Sequence, residues 1–263
     1  MSEERISLEN KSLARGYSNH IQRYTFATQY SKGCRVLDAG CGTGYGSAYL
    51  SVRGSASVTA IDISDEALAE AKQLYERDNL RFIKGDVERL SEITELDGQF
   101  DLVVNLENIE HLREPARFLE GARRLLADAG TLVVSTPNGA LTERDMTGRI
   151  LNPFHVQEFA EGEFHALLRP YFSQIELFGQ WKTPERIARI DFEHRLFENL
   201  CELYYSPPAR LWRFIRKLLG KPCVPAPEYT AEGTSYPFDF TILPIATSAF
   251  PWPPDVILAV CRK

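Results

Sequence analysis

The chain has 263 residues, 44% of them hydrophobic and 25% charged, with a formal net charge of −6. That length and balance suit one large globular domain or a domain with a sizeable insertion, and the acidic charge weighs against non-specific nucleic-acid binding. Five cysteines (Cys34, Cys41, Cys201, Cys223, Cys261) without a Cys-x-x-Cys pair fit reduced cytosolic thiols better than a disulfide framework or a zinc site.

The start, Met1-Ser2-Glu3-Glu4-Arg5, is charged and carries no apolar signal segment, and no uncharged apolar run is long enough to span a bilayer. The expected location is the cytoplasm. Residues 5–30 read as helical, with aromatics at Tyr17, Tyr24, Phe26 and Tyr30. From Arg35 onward strands and helices alternate. Strands are predicted at Arg35–Ala39, Ser57–Ile61, Leu80–Ile83, Phe100–Asn105 and Gly130–Ser135, with helices at Gly44–Val52, Asp65–Arg77 and Pro115–Ala127. Pro115 suits a first-turn position. A helix around Glu158–Arg169, a strand at Phe172–Phe178 and a last strand at Asp255–Cys261 complete the pattern. This order predicts an α/β fold, a mostly parallel seven-stranded sheet with helices on both faces. Residues 181–254 lie between the last two strands and are too long for a turn. They are expected to form a substrate-facing insertion, so the chain divides into 1–34 (helical lid), 35–180 (core), 181–254 (insertion) and 255–263 (final strand).

Val36-Leu37-Asp38-Ala39-Gly40-Cys41-Gly42-Thr43-Gly44-Tyr45-Gly46 joins a strand to a helix through a glycine-dense turn. It does not fit Gly-x-Gly-x-x-Gly, because Tyr45 and Ser47 occupy the positions where a third glycine would fall. The segment resembles motif I of the class I S-adenosylmethionine-dependent methyltransferases. The resemblance covers roughly residues 35–135 and implies their Rossmann-like fold and their methyl donor. It assigns donor binding to Asp38, Gly40, Gly42 and Gly44, with Asn105 at the end of the fourth strand. Asp62 and Ile63, ending the second strand, would meet the ribose hydroxyls; Asp86 and Val87, ending the third, would meet the adenine. Tyr17 and Arg23 fall in the region that closes over the methionine part of the donor in similar enzymes. Taken singly, Asp62 or Asp86 equally suits a helix N-cap.

Glu107, Glu110 and His111 stand at i, i+3 and i+4, a spacing that places three metal-binding side chains on one face of a helical turn. With His155, in Asn152-Pro153-Phe154-His155-x-x-Glu158-Phe159, they resemble the divalent-cation site of the 2′-O-methyltransferases that modify small RNAs. A similar Glu-x-x-Glu-His segment occurs in the O-methyltransferases of ubiquinone biosynthesis. The resemblance implies a cation (Mg2+ or Mn2+, alternatively Fe2+ or Co2+) held by Glu107, Glu110, His111 and His155, and an acceptor with two adjacent oxygens. A chelated hydroxyl loses its proton more readily and is fixed in line with the donor methyl. Without a metal, His111 or His155 is the candidate general base.

The phrases around His20-x-x-Arg23-Tyr24 and Asn152–Phe159 also resemble methyltransferases of bacterial glycan assembly, which implies a sugar hydroxyl as acceptor and a place in polysaccharide biosynthesis. A catechol or quinone precursor, a small RNA, and a non-catalytic donor-binding role are the rivals. Arg210–Leu219 is basic and amphipathic, suited either to peripheral contact with an anionic membrane or to an ordinary lid helix.

Overall fold

The structure is a computed structural model that describes residues 14–96, 99–182, 240–248, 250 and 252–263. Its elements run α1 (Ala14–Ala27), β1 (Arg35–Ala39), α2 (Tyr45–Val52), β2 (Ser57–Asp62), α3 (Asp65–Tyr75), β3 (Leu80–Lys84), β4 (Phe100–Leu106), α4 (Pro115–Leu125), β5 (Leu126–Pro137), α5 (Glu161–Leu168), β6 (Gln174–Lys182), β7 (Phe240–Pro244) and β8 (Val256–Arg262). The helix starts follow local chemistry. Ser64 caps α3 by accepting from the Ala67 N–H, with Asp65 and Glu66 in the first turn, and Pro115 opens α4.

The sheet order is β3-β2-β1-β4-β5-β8-β6-β7. The strands β3, β2, β1, β4 and β5 are parallel, and β8 runs antiparallel between β5 and β6. Alternate residues feed two cores. Leu37, Ile61, Val103, Leu132 and Ile257 pack with Phe118 and Leu119 of α4 and Phe164 of α5. Val36, Val58, Leu102, Val133 and Leu258 pack with Phe26 of α1, Leu50 of α2 and Leu68 of α3. Both faces of the sheet are therefore covered, as the nearly continuous apolar strands require.

The sheet holds eight strands, not the seven expected. β7 lies in a stretch whose prolines argue against a strand; it forms at the sheet edge, next to β6, where Pro244 ends it and a missing ladder donor is tolerated. The compact unit formed by Met1–Trp181 and Ile242–Lys263 carries the sheet described above; the second unit is Lys182–Thr241. Of that second unit only Lys182, Phe240 and Thr241 are described, so most of the expected insertion, including Arg210–Leu219, lies outside the described residues. Among the described residues no helix is long and apolar enough to cross a membrane, and Cys34, Cys41 and Cys261 are free thiols.

Candidate active site

Chain order reverses between β1 and β4. From β1 the chain steps outward to β2 and β3, then returns to β4 on the other side. A crevice opens at the carboxyl ends of the strands at such a point. Here it is a cleft of about 320 Å3 lined by Gly40, Cys41, Gly42 and Thr43 after β1, Asp62 and Ile63 after β2, and Leu106, Glu107, Asn108 and His111 after β4. His20 and Tyr24 of α1, Tyr45 of α2 and Phe154 complete the wall.

The glycine turn is pinned to β2: the Gly40 and Cys41 N–H groups donate to the Ile61 carbonyl at 2.8 and 2.9 Å. Gly40 has φ 84°, and a Cβ there would stand 2.5 Å from the Asn108 side chain, so only glycine fits. A Cβ at Gly42 would meet nothing within 4 Å, which leaves its backbone open to the cleft. Asp62 is held by its own surroundings. Its Oδ2 accepts from Gly42 N–H at 2.8 Å and its Oδ1 from Ser64 N–H at 2.9 Å. Each oxygen keeps a second lone pair for a ligand hydroxyl.

Gly40, Gly42, Asp62 and Ile63 thus meet on the cleft wall. The other donor-assigned residues whose side chains are described do not line it. Asp38 is fully buried beneath the glycine turn, accepting from Ser47 Oγ at 2.6 Å and from Tyr24 Oη at 3.2 Å. Gly44, φ 79°, is the N-cap of α2. Asp86 caps a short 3-10 turn by accepting from Glu88 N–H, and Val87 packs in the core. Asn105 is buried, donating to the Ala39 carbonyl at 2.7 Å and to Asn108 Oδ1 at 2.9 Å. Tyr17 lies in α1, and its side chain is outside the described residues. Arg23 is 2% exposed and turns to Gln180 Oε1 (2.6 Å) and Glu107 Oε2 (3.6 Å).

Burial pushes the Asp38 carboxyl from 3.8 up to about 6 against the opposing bonds from Ser47 and Tyr24. The folded state then binds protons more tightly than the unfolded chain. Asp38's contribution to stability is present below its unfolded value near 4 and is lost as pH rises through 6. Between pH 5 and 7.5 the wild type is expected to lose about 1 kcal/mol from this group. Urea unfolding of wild type and Asp38→Asn at both pH values checks it: the gap between the two curves should change by that amount, and a constant gap contradicts it.

The predicted helical face at Glu107 does not form. Glu107 follows β4 with φ 50°, the one positive-φ non-glycine among the described residues, and only Ile109–His111 makes a 3-10 turn. Glu107 Oε1 accepts from Ser135 Oγ at 2.9 Å, and its Oε2 faces Arg23. Glu110, His111 and His155 do converge, each offering a ligand atom within 4.8 Å of the others, with the two rings 5.0 Å apart edge to face. The loop bearing His155 is clipped to this turn by backbone bonds from Val156 and Gln157 N–H to the Glu110 carbonyl. Glu110 is 1% exposed, and its Oε2 makes no hydrogen bond among the described residues. Burial, then the charge of Glu107, pushes its carboxyl well above the usual range. His111 Nδ1 lies 2.9 Å from the Phe154 carbonyl, which only accepts, so Nδ1 carries a proton and Nε2 is the ring atom left for a ligand.

Sequence reasoning missed Tyr24, Asn108 and Phe154. Their roles depend on tertiary approach across residues far apart in the chain. His20, Arg23 and Tyr24 carried one usable signal, an i, i+3, i+4 spacing on α1. Burial, then Arg23's charge, holds the His20 imidazole well below its ordinary range, so that wall of the cleft is uncharged near neutral pH.

A doubly covered, mainly parallel sheet with a glycine turn and an acidic residue at its switch point is the Rossmann-like class I methyltransferase fold. A family model described as a methyltransferase domain matches residues 30–182, and the chain belongs to that family. The chain is 34% identical over 160 residues to the Mycobacterium tuberculosis protein named "probable S-adenosylmethionine-dependent methyltransferase", covering 60% of this chain and 56% of that one. It is 36% identical over 138 residues to the ubiquinone biosynthesis O-methyltransferase of Psychrobacter cryohalolentis, covering 51% and 52%. The chain spans about half the length of the curated relatives it matches. The crystal structure of an S-adenosylmethionine-dependent methyltransferase from Mesorhizobium loti superposes with a TM-score of 0.54 at 17% identity, over 92% of this chain and 98% of that one, a likeness of fold.

Proposed function

We propose that this protein transfers a methyl group from S-adenosylmethionine to an oxygen of an acceptor with two adjacent hydroxyls, assisted by a divalent cation at Glu110, His111 and His155. The observation that carries the reading is the convergence of those three side chains beside the cleft, with one buried Glu110 oxygen that has no hydrogen-bond partner among the described residues. The likeness to ubiquinone biosynthesis O-methyltransferases supports oxygen as the methylated atom.

The donor fits the cleft's chemistry. Asp62 offers two anchored acceptors for a pair of ribose hydroxyls, and the open backbone at Gly42 permits close approach. When bound, S-adenosylmethionine supplies an electrophilic methyl on a sulfonium. His20 and Tyr24 wall the cleft on the α1 side, and His111 lies on the same cleft, where an acceptor would meet the donor. The cation fits as well: one carboxylate and two imidazoles suit Mn2+, Fe2+ or Co2+ better than Mg2+. When bound, it lowers the pKa of an acceptor hydroxyl. Glu107 is turned toward Arg23 and Ser135, so the cation site rests on the other three residues. A sugar diol is the first acceptor class and a catechol the second, because both present two oxygens to one cation.

The test pairs calorimetric titration of S-adenosylhomocysteine and of Mn2+ with label transfer from methyl-labelled S-adenosylmethionine to sugar diols and dihydroxybenzoates. Asp62→Ala is expected to weaken S-adenosylhomocysteine by about 10-fold or more, the loss of two charge-assisted hydrogen bonds. Unchanged affinity in that variant contradicts the donor site. Transfer that survives exhaustive chelation removes the cation and leaves His111 or His155 as general base.

A further inference from the structure

Four side chains on the loop between β5 and α5 form a continuous chain: Thr142, Glu158, His155 and Asn152. Glu158 is 7% exposed and His155 10%. His155 Nδ1 bonds to Glu158 Oε1, and the Thr142 hydroxyl donates to Glu158 Oε2. On the far side of the ring, Asn152 Nδ2 lies 3.0 Å from His155 Nε2. The orientation of that amide is fixed, because Asn152 Oδ1 accepts from Phe154 N–H at 3.0 Å.

These contacts determine the ring's proton. An amide nitrogen donates and a carboxylate accepts. Nε2 therefore accepts from Asn152, and the proton sits on Nδ1, donated to Glu158. We propose that Glu158 is the positioning residue of this site. It holds His155 as the Nδ1–H tautomer, so that the Nε2 lone pair, kept meanwhile by the Asn152 amide, is the atom given over to the incoming cation or acceptor hydroxyl. The inference rests on the function proposed above. A histidine that binds a metal through one nitrogen characteristically gives its other N–H to a carboxylate or carbonyl, which sets both ring orientation and basicity.

Besides the ring, Glu158 ties Thr142 across the loop, and it takes no part in starting the next helix. It does not cap α5: that helix begins at Glu161, and the Ala160 N–H is satisfied by Glu163. The loop is stitched down by backbone bonds, from Val156 and Gln157 N–H to the Glu110 carbonyl and from Gly139 N–H to the Phe159 carbonyl at 2.8 Å. A carboxylate this buried is costly unless its oxygens are bonded, and here one is held by Thr142 and the other by the ring.

The decisive readout is the His155 tautomer, measured by long-range proton–nitrogen correlation on ring-labelled, chelator-treated protein and assigned against His155→Ala. The wild type is expected to show protonated Nδ1 and unprotonated Nε2. Glu158→Ala should mix the tautomers, weaken Mn2+ by about 10- to 100-fold, and lower turnover by a similar factor without changing KM for the donor. Glu158→Gln, whose amide carbonyl still accepts from Nδ1–H, should keep the tautomer and recover most of the affinity. A wild-type ring protonated on Nε2 overturns the proposal without any variant. So does Glu158→Ala with unchanged tautomer and unchanged cation affinity. A wild type that takes up no cation counts against the metal reading of the site, while the tautomer measurement still decides for or against Glu158.

Discussion

Replacing His155 by alanine is expected to lower methyl transfer by about 100-fold or more while leaving S-adenosylhomocysteine affinity at the wild-type level. The separation follows from placement. The donor-side groups, Asp62 and the glycine turn, sit after β2 and β1, whereas His155 joins Glu110 and His111 after β4. Removing the ring takes away one of three converging donors and also frees Asn152 and Glu158, which now hold it. Calorimetry with S-adenosylhomocysteine and single-turnover transfer from labelled donor make the comparison. Equal losses in both would place His155 in the donor site, and an unchanged rate would remove it from the chemistry.

The parallel half of the sheet was plain from the sequence because buried parallel strands are almost wholly apolar. Arg35–Ala39 matches β1 residue for residue, and Leu80 and Phe100 begin β3 and β4 as expected. β7 was hidden by composition: Phe240–Pro244 ends in a proline, and edge strands need not follow the rules of central ones. The spacing of Glu107, Glu110 and His111 was read with the wrong geometry. An i, i+3, i+4 pattern brings side chains together on a helix, but a strand end followed by a 3-10 turn spends its first residue on the reversal. That is why Glu107 parts from the other two. The burial of Asp38 was equally illegible. Its partners Tyr24 and Ser47 come from two helices that the motif pattern does not relate. Spacing predicts which residues are near the turn; which of them face the cleft is decided by what packs behind it.

The buried pair of Arg23 and Glu107 links α1 to this site. Arg23→Ala is expected to destabilise the protein by about 2–4 kcal/mol, because it strands a mostly buried carboxylate beside Ser135 and removes the donor to Gln180. Glu107→Gln alone should also destabilise, since it leaves the Arg23 guanidinium, whose Nε has no hydrogen-bond partner among the described residues, without its counter-charge. The double variant should be less destabilised than the sum of the two, by about 1 kcal/mol or more. Urea unfolding midpoints for the four proteins measure this coupling, and simple additivity would show that the pair contributes nothing. The same pair acts on Glu110 with opposite signs: the Glu107 charge raises its carboxyl and the Arg23 charge lowers it. Mn2+ brings two positive charges and displaces at most one proton from Glu110, so removing the Arg23 charge should strengthen Mn2+ binding and Glu107→Gln should weaken it. Tighter Mn2+ binding in Arg23→Ala and weaker binding in Glu107→Gln would tie α1 electrostatically to the acceptor side of the cleft; weaker binding in both would mean that both variants disturb the turn.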